Sequence, residues 1–498
     1  MMKKLRNIML GGTGSDVGKS LLAAGLCRIF KQDGYSPAPF KAQNMALNSY
    51  VTPDGLEIGR AQAVQAAAAG LECRAEMNPV LLKPSGERRA QVVVMGLPAG
   101  NRDAAEYFND RSRLPLKEIS IKAFRRLEEN HNPIVMEGAG SVAEMNLQDR
   151  DFVNMPMADA VDADVILVAD IDRGGVFAQV YGSIMLQPEH YRRRIKGVII
   201  NKFRGDIELF REGRRMIEEL CGVPVLGVVP LFRDIDIEDE DSLSVMKRKR
   251  MATEENLVNV GVAYVPQISN FTDFDFLSRD PRVHLYFTSD PAELRRADVI
   301  LLPGSKNTIQ DLEFLRERGC AEVIREAVAS GKPVAGICGG YQMMGLTIED
   351  PEGVEGEIRR AEGLGLLPVD TRLTRSKTLT RSRVALPGGE SVFTGYEIHM
   401  GETTLQECAS PMFLRPDGIS GEGCRVSDRL WGTYMHGILD NPDVIDLLLR
   451  PVVEAKGLPA KCGMEPPAEY RERQYDLLAS HMREHIDIER LYSIMRND

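Results

Sequence analysis

At 498 residues, with 43% hydrophobic and 27% charged residues, the chain has a globular composition and is too long for one ordinary domain, so two or three are expected. A formal net charge of -11 argues against a general nucleic-acid binder, and no apolar run approaches the roughly 20 residues that cross a bilayer. The start, Met1-Met2-Lys3-Lys4-Leu5-Arg6, is basic like a signal peptide, but glycines within 11–18 interrupt any apolar region and no small-residue cleavage site follows, so a cytoplasmic protein is expected. The eight cysteines show no Cys-x-x-Cys spacing, which leaves neither a zinc ribbon nor a disulfide framework.

The first half alternates short apolar runs with polar or amphipathic stretches, the rhythm of a parallel α/β sheet. Asn7–Leu10 reads as a buried strand, followed by a glycine-rich turn ending in Lys19-Ser20 and a helix over Leu21–Phe30. That order predicts a nucleotide phosphate site built from Gly12, Thr13, Gly14, Ser15, Asp16, Val17, Gly18, Lys19 and Ser20. Backbone N–H groups cradle phosphates, the lysine reaches the outer ones, and the final hydroxyl binds magnesium. Five residues rather than four separate Gly12 from Gly18, so the loop is not the standard Walker A form.

A second short strand leads into Pro39–Ser49, which is rich in amides. Amides at the carboxyl end of a parallel strand sit where α/β proteins bind ligands, making Gln43 and Asn44 substrate candidates. Asp54 and Glu57 are candidates to complete a metal site, and the alanines of a helix over Ala61–Ala69 suit close packing. The strand Ile134–Met136 ends in Glu137-Gly138-Ala139-Gly140. The strand Val165–Ala169 delivers Asp170, Asp172 and Arg173, which either hold a substrate carboxylate or second metal or form an internal salt bridge. Val198–Ile200 runs into Asn201-Lys202-Phe203-Arg204, and Val225–Val229 is a further strand. The acidic run Asp234–Asp241 and the basic Lys247-Arg248-Lys249-Arg250 mark a boundary.

A new α/β pattern follows through Val258–Val265, Leu285–Phe287, Val299–Leu302 and Val334–Ile337. The last strand enters Gly336-Ile337-Cys338-Gly339-Gly340-Tyr341-Gln342, with a helix over Tyr341–Leu346. Its glycines permit the sharp strand-to-helix turn that displays a nucleophile, here Cys338, beside a helix N-terminus that favours an anion. Upstream, Leu302-Pro303-Gly304-Ser305-Lys306 offers backbone N–H groups for an oxyanion, with Gly304 and Gly339 as candidate donors. Downstream, Trp431–Gly437 offers His436 as a base, with His399 in Gly395–Gly401 as its competitor. From Asn441 on, the chain reads as helical and mostly polar. The expected domains are 1–245, 255–445 and a helical appendage over 446–498.

The cysteine turn, the glycine turn and the late histidine, in this arrangement, resemble a triad-type class I glutamine amidotransferase. The resemblance implies a flavodoxin-like domain in which Cys338 attacks the glutamine side-chain amide, His436 shuttles protons and ammonia leaves. One position departs: the family usually carries a carboxylate two residues after the histidine, and here that residue is Ile438. Either another group orients His436, or the third member is missing and the enzyme takes free ammonia.

The Gly12–Ser20 loop is similar to that of dethiobiotin synthetase, a P-loop enzyme that phosphorylates a carboxylate-type group. This resemblance implies Glu137 as a magnesium ligand with Ser20, Lys41 as the lysine stabilising the transferred phosphoryl, and Asn201 at the nucleotide base. Over nearly the whole chain, Gly12–Ser20, Phe40–Ser49, Glu137–Ser141, Asp170–Gly175, Pro303–Thr308, Gly336–Gln342, Gly395–Gly401 and Gly432–Gly437 resemble the cobyric acid synthase family. That implies two α/β domains with mainly parallel sheets, and amidation of the b, d, e and g carboxylates of a corrin, adenosylcobyrinic acid a,c-diamide, with ATP, magnesium and L-glutamine. The corrin pocket is then expected between the domains near Lys41 and Asp172; a homo-oligomer is compatible with this reading. The sister a,c-diamide synthases share both domains, but the Phe40–Ser49 and Asp170–Gly175 motifs favour the former. P-loops of this form also occur in ATPase switches that position partners, a class with no need for a Cys338–His436 pair.

Overall fold

The computed structural model describes residues 3–84, 89–103, 115–232, 234–238, 253–407, 409–461 and 463–498. Lys247–Arg250 and the end of the acidic run expected at the boundary lie outside them. The first domain is built on a six-stranded parallel sheet. Its order across the sheet is Val225–Pro230, Ile195–Phe203, Asp164–Asp170, Ile8–Gly12, Ile134–Glu137 and Ala38–Phe40. Ile8–Gly12 and Asp164–Asp170 are buried along their whole length, as continuous apolar runs in a doubly covered sheet must be. After Ile8–Gly12 the chain builds one side of the sheet and then crosses to the other. The carboxyl end of Ile8–Gly12 is therefore the switch point where such sheets bind ligands, and the glycine-rich loop leaves from there into the helix Lys19–Gln32.

A small mixed sheet, Gln43–Met45, Val80–Pro84, Arg89–Val94 and Leu97–Asp103, and a hairpin, Ser49–Val51 with Glu57–Gly59, extend from this domain. The second domain carries Val283–Thr288, Val258–Ala263, Val299–Leu302, Val334–Ile337, Leu430–Thr433 and Cys424–Ser427 in that order, parallel except for the last strand. Alongside it, the long strands Val369–Ala385 and Val392–Leu405 pair antiparallel. Tyr50 of the first-domain hairpin meets Tyr396 of the second domain edge-on, with ring centroids 4.7 Å apart.

The carboxyl-terminal segment divides between the two cores. Helix Pro442–Lys456 buries Val444, Ile445, Leu448 and Leu449 in the second domain. Helices Pro467–His485 and Ile488–Arg496 return to the first domain, where Leu478, Met482, Leu491 and Met495 join the core beneath the helix Lys19–Gln32. The polar sequence conceals this because the apolar residues recur only at four-residue spacing, one stripe per helix. Polar contacts close the interface as well: Arg6 N–H donates to the Met495 carbonyl at 2.8 Å, and the Arg28 side chain pairs with Asp476 at 2.7 Å. Met482 is fully buried against Gly25. Met482→Ala is expected to destabilise the first domain by about 2–5 kcal/mol, read as a lower midpoint in denaturant unfolding; an unchanged midpoint would show that the tail is not part of that core.

Candidate active sites

At the first site the buried Glu137 carboxylate, at the end of its strand, accepts three side-chain donors. Ser20 Oγ and Lys41 Nζ each reach Oε1 at 2.8 Å, and Gln65 Nε2 reaches Oε2 at 2.7 Å. Burial alone would raise the carboxyl pKa, but Lys41 and these hydrogen bonds outweigh it and hold it below the ordinary value. Lys19 Nζ donates to the carbonyls of Gly14 at 3.0 Å and Gly140 at 2.9 Å; burial pushes its pKa down to about 8. A Cβ on Gly12 would lie 2.6 Å from Lys19 Nζ and 2.8 Å from the Gly14 and Gly140 carbonyls, so only glycine leaves the cradle open. A buried carboxylate, a hydroxyl and two lysines at the end of a glycine-rich loop fit a magnesium–nucleotide phosphate group.

Several expected members stand elsewhere. Asp54 is exposed in the turn of the Ser49–Gly59 hairpin, where its Oδ1 accepts Thr52 Oγ1 at 2.5 Å. A Cβ on the adjacent Gly55 would lie 3.2 Å from the Leu379 carbonyl of the second domain, and the side chains bonded to Glu137 are Ser20, Lys41 and Gln65. Glu57 is buried on Lys83 and Lys377 instead. Asn201 is buried, and its Nδ2 donates to the Val17 carbonyl at 2.8 Å, bracing the loop from beneath, while its Oδ1 has no partner among the described residues. Asn44 is likewise buried, donating to Gln62 Oε1 at 3.0 Å beside the Gly59 turn, whereas Gln43 is half-buried. The Asp170–Gly175 motif forms ion pairs: Asp170 with Lys202 at 3.0 Å, Asp172 with Arg204 at 2.6 Å, and Arg173 with Asp16 at 3.2 Å. The last pair ties this motif to the phosphate loop.

At the second site three strand ends converge. Cys338 follows Val334–Ile337 with φ 52° and ψ -111°, a backbone that an L residue holds only when its surroundings enforce it. The enforcement is close packing: a Cβ on Gly340 would stand 2.2 Å from the Leu302 carbonyl. A Cβ on Gly304 would lie 3.4 Å from His436 Cε1, and one on Gly339 2.7 Å from the Ser305 nitrogen, so both expected oxyanion donors flank Cys338 and His436. His436 is buried and lines one pocket with Cys338, whose Sγ donates to the Ile398 carbonyl at 3.5 Å. A pocket at this point is lined by Cys338, His436, Ser305 and the lysines Lys83, Lys306 and Lys377.

Ile438 is buried, and the carboxylate comes instead from Asp273, in the short turn Phe271–Phe274 after the first strand of the domain. Asp273 Oδ2 lies 2.7 Å from His436 Nδ1, and Oδ1 accepts Gly437 N–H at 2.9 Å. Burial would lower the imidazole pKa, but Asp273 and Cys338 outweigh it and raise it to about 10. The sequence carried a signal for Asp273, an acid within Asn270-Phe271-Thr272-Asp273-Phe274 at a strand's carboxyl end, but nothing in its spacing linked it to a histidine so far downstream. His399, the competing candidate, turns its Nδ1 to the Gly401 carbonyl at 2.8 Å and stacks its ring on Tyr434.

These geometries define a P-loop nucleotide domain joined to a cysteine amidotransferase domain. Family comparisons agree: residues 8–245 match the CobQ/CobB/MinD/ParA nucleotide binding domain, and residues 259–444 the CobB/CobQ-like glutamine amidotransferase domain. The chain is 56% identical to cobyric acid synthase of Phocaeicola vulgatus over 99% of both chains. It is 54% identical to that of Bacteroides fragilis over the full length of both, and 50% identical to that of Salmonella agona over 98% of both. The chain belongs to the cobyric acid synthase family.

Removing the Asp273 charge lowers the His436 pKa, so the protonated imidazole is lost at a lower pH. Asp273→Asn is expected to cut kcat for glutamine hydrolysis by about 100-fold and to move the alkaline limb of its pH profile downward. An unchanged limb would exclude Asp273 as the group that sets the base.

Proposed function

We propose that this chain uses ATP and glutamine to amidate corrin carboxylates: the b, d, e and g side chains of adenosylcobyrinic acid a,c-diamide, the substrate that its family resemblance implies. By family it is a glutamine-dependent amidoligase of cobalamin biosynthesis. The observation that carries the reading is the presence in one chain of both halves of the chemistry: a buried Ser20–Glu137–Lys41 cluster at a phosphate loop and a Cys338–His436–Asp273 array.

A carboxylate is a poor acceptor for ammonia because oxide is a poor leaving group. Transfer of the ATP γ-phosphoryl to it gives an acyl phosphate; ammonia then adds to the acyl carbon and phosphate departs. Backbone N–H groups of Gly12–Gly18 and the Lys19 ammonium hold the nucleotide phosphates, and Lys41 neutralises charge on the phosphoryl in transfer. Ser20 and Glu137 would hold magnesium, which supplies Lewis-acid charge to the phosphates. In the second domain, Cys338 Sγ attacks the glutamine amide carbon while Gly304 and Gly339 N–H groups stabilise the oxyanion. The His436 imidazolium gives its proton to the departing nitrogen, and water attacks the thioester with His436 as base, releasing glutamate and regenerating the thiolate. Lys306 in the pocket wall suits the substrate's α-carboxylate, while Lys377 beside it is paired with Glu57. Ammonia released against the first domain stays unprotonated and close to its acceptor.

The test is the mass of the corrin product after incubating the protein with adenosylcobyrinic acid a,c-diamide, ATP, magnesium and glutamine. Stepwise conversion of acids to amides is expected; ATP hydrolysis without any change in the corrin would sink the assignment. Lys41→Ala is expected to lower amidation about 100-fold with glutamine and with ammonium alike, while glutamate release in the absence of corrin continues. Full amidation by that variant would remove Lys41 from phosphoryl transfer.

A further inference from the structure

The amide-rich stretch after Lys41 is not exhausted by the chemistry above. Its last residues cross to the second domain and grip the turn that carries Asp273. Asn48, 1% exposed, accepts Phe271 N–H on Oδ1 at 3.2 Å, and Ser49 N–H donates to Asn270 Oδ1 at 3.1 Å. These two bonds bracket Asn270, a non-glycine residue with φ 49°, a conformation that needs outside support. The next link is internal to the turn, where Asp273 N–H donates to the Asn270 carbonyl at 3.0 Å. Asn270 Nδ2 also reaches the Tyr396 hydroxyl at 3.3 Å, and the Tyr396 ring lies stacked on His436 with centroids 5.3 Å apart. Both supports of the His436 imidazole, the carboxylate at Nδ1 and the aromatic face, thus lead back to Asn270 and to the loop that holds it.

The other end of this loop is at the first site. Lys41 donates to Glu137, and the Asn48 carbonyl accepts Arg60 N–H at 3.2 Å, at the start of the helix whose Gln65 also donates to Glu137. We propose that Asn48 of the first domain is a positioning residue for the amidotransferase site, holding the Asn270–Phe274 turn so that Asp273 meets His436. This rests on the reading of Cys338 as the glutamine nucleophile. The glutaminase is then complete only while the first domain presents this loop. A change at the Lys41–Glu137 cluster reaches the base along seven residues of chain and then through the hydrogen bonds of Asn48 and Ser49 to the turn.

The test uses the full chain and reads glutamate release from glutamine in the presence of ATP, magnesium and adenosylcobyrinic acid a,c-diamide, with amidation from ammonium followed in parallel. Asn48→Ala is expected to lower glutamine hydrolysis about 10- to 100-fold, with ammonium-dependent amidation within about twofold of the parent. Asn48→Asp keeps an oxygen facing Phe271 N–H and should recover most of the loss. The groups facing His436 are Asp273, Cys338, Tyr396 and the pocket lysines Lys83, Lys306 and Lys377. Of these, the Asn48→Ala change displaces Asp273, so the alkaline limb of the hydrolysis profile should move to lower pH. Asn270→Ala, made within the second domain, should act in the same direction. Unchanged hydrolysis in Asn48→Ala, equal loss of glutamine- and ammonium-dependent activity, an unmoved alkaline limb or failure of Asn48→Asp to recover activity would each overturn the proposal. Glutamine hydrolysis persisting in Cys338→Ala would instead overturn the underlying reading of the site.

Discussion

A buried imidazole serves a cysteine only if its far nitrogen is held and its charge is balanced; here the Asp273–His436 contact at 2.7 Å does both. It fixes which ring nitrogen faces Cys338 and offsets the cost of burying an imidazolium. Without it, the strained Cys338 turn, the crowded glycines and the flanking N–H groups would surround a base held by nothing on its far side. The carboxylate comes from a turn distant in sequence, so the site depends on the tertiary arrangement rather than on any local motif.

The first domain shows the same logic in a different chemistry. Glu137 gathers Ser20, Lys41 and Gln65, groups drawn from three elements, around one buried carboxylate. The oxygen and cationic groups of a phosphate site are therefore positioned by protein contacts. Gln65 and Lys41 belong to segments that also run toward the second domain, through the Arg60–Ala68 helix and the Lys41–Ser49 loop. In the proposed reaction, carboxylate activation and nitrogen release are chemically independent but mechanically adjacent, which suits an acyl phosphate that must wait for ammonia and not for water.

Most of the parallel framework was legible in the sequence because fully buried strands announce themselves as unbroken apolar runs. Val165–Ala169 and Val334–Ile337 fall within observed strands, and Asn7–Leu10 overlaps Ile8–Gly12 from Ile8 on. The long antiparallel strand Val369–Ala385 was not legible: it is only partly covered, and it carries polar and charged residues at most positions. Cys338 and His436 were readable from glycines whose absence of a side chain has a local cause. Asp273 was not, because hydrogen bonding between distant segments leaves no periodic trace. Asn201 and Asn44 carry a signal of the opposite kind. An amide at a strand end suits a ligand and suits bracing its own loop equally, and the contacts to the Val17 carbonyl and Gln62 lie between distant segments.

The most direct measurement is product formation by Cys338→Ala supplied with glutamine or with ammonium, under otherwise identical conditions with ATP and the corrin a,c-diamide. Two separate sites, one releasing nitrogen and one activating the acid, predict that the variant yields no amide from glutamine and near-parental yield from ammonium. Amide formed from glutamine without Cys338, or loss of activity with both nitrogen sources in a folded variant, would contradict that division of labour.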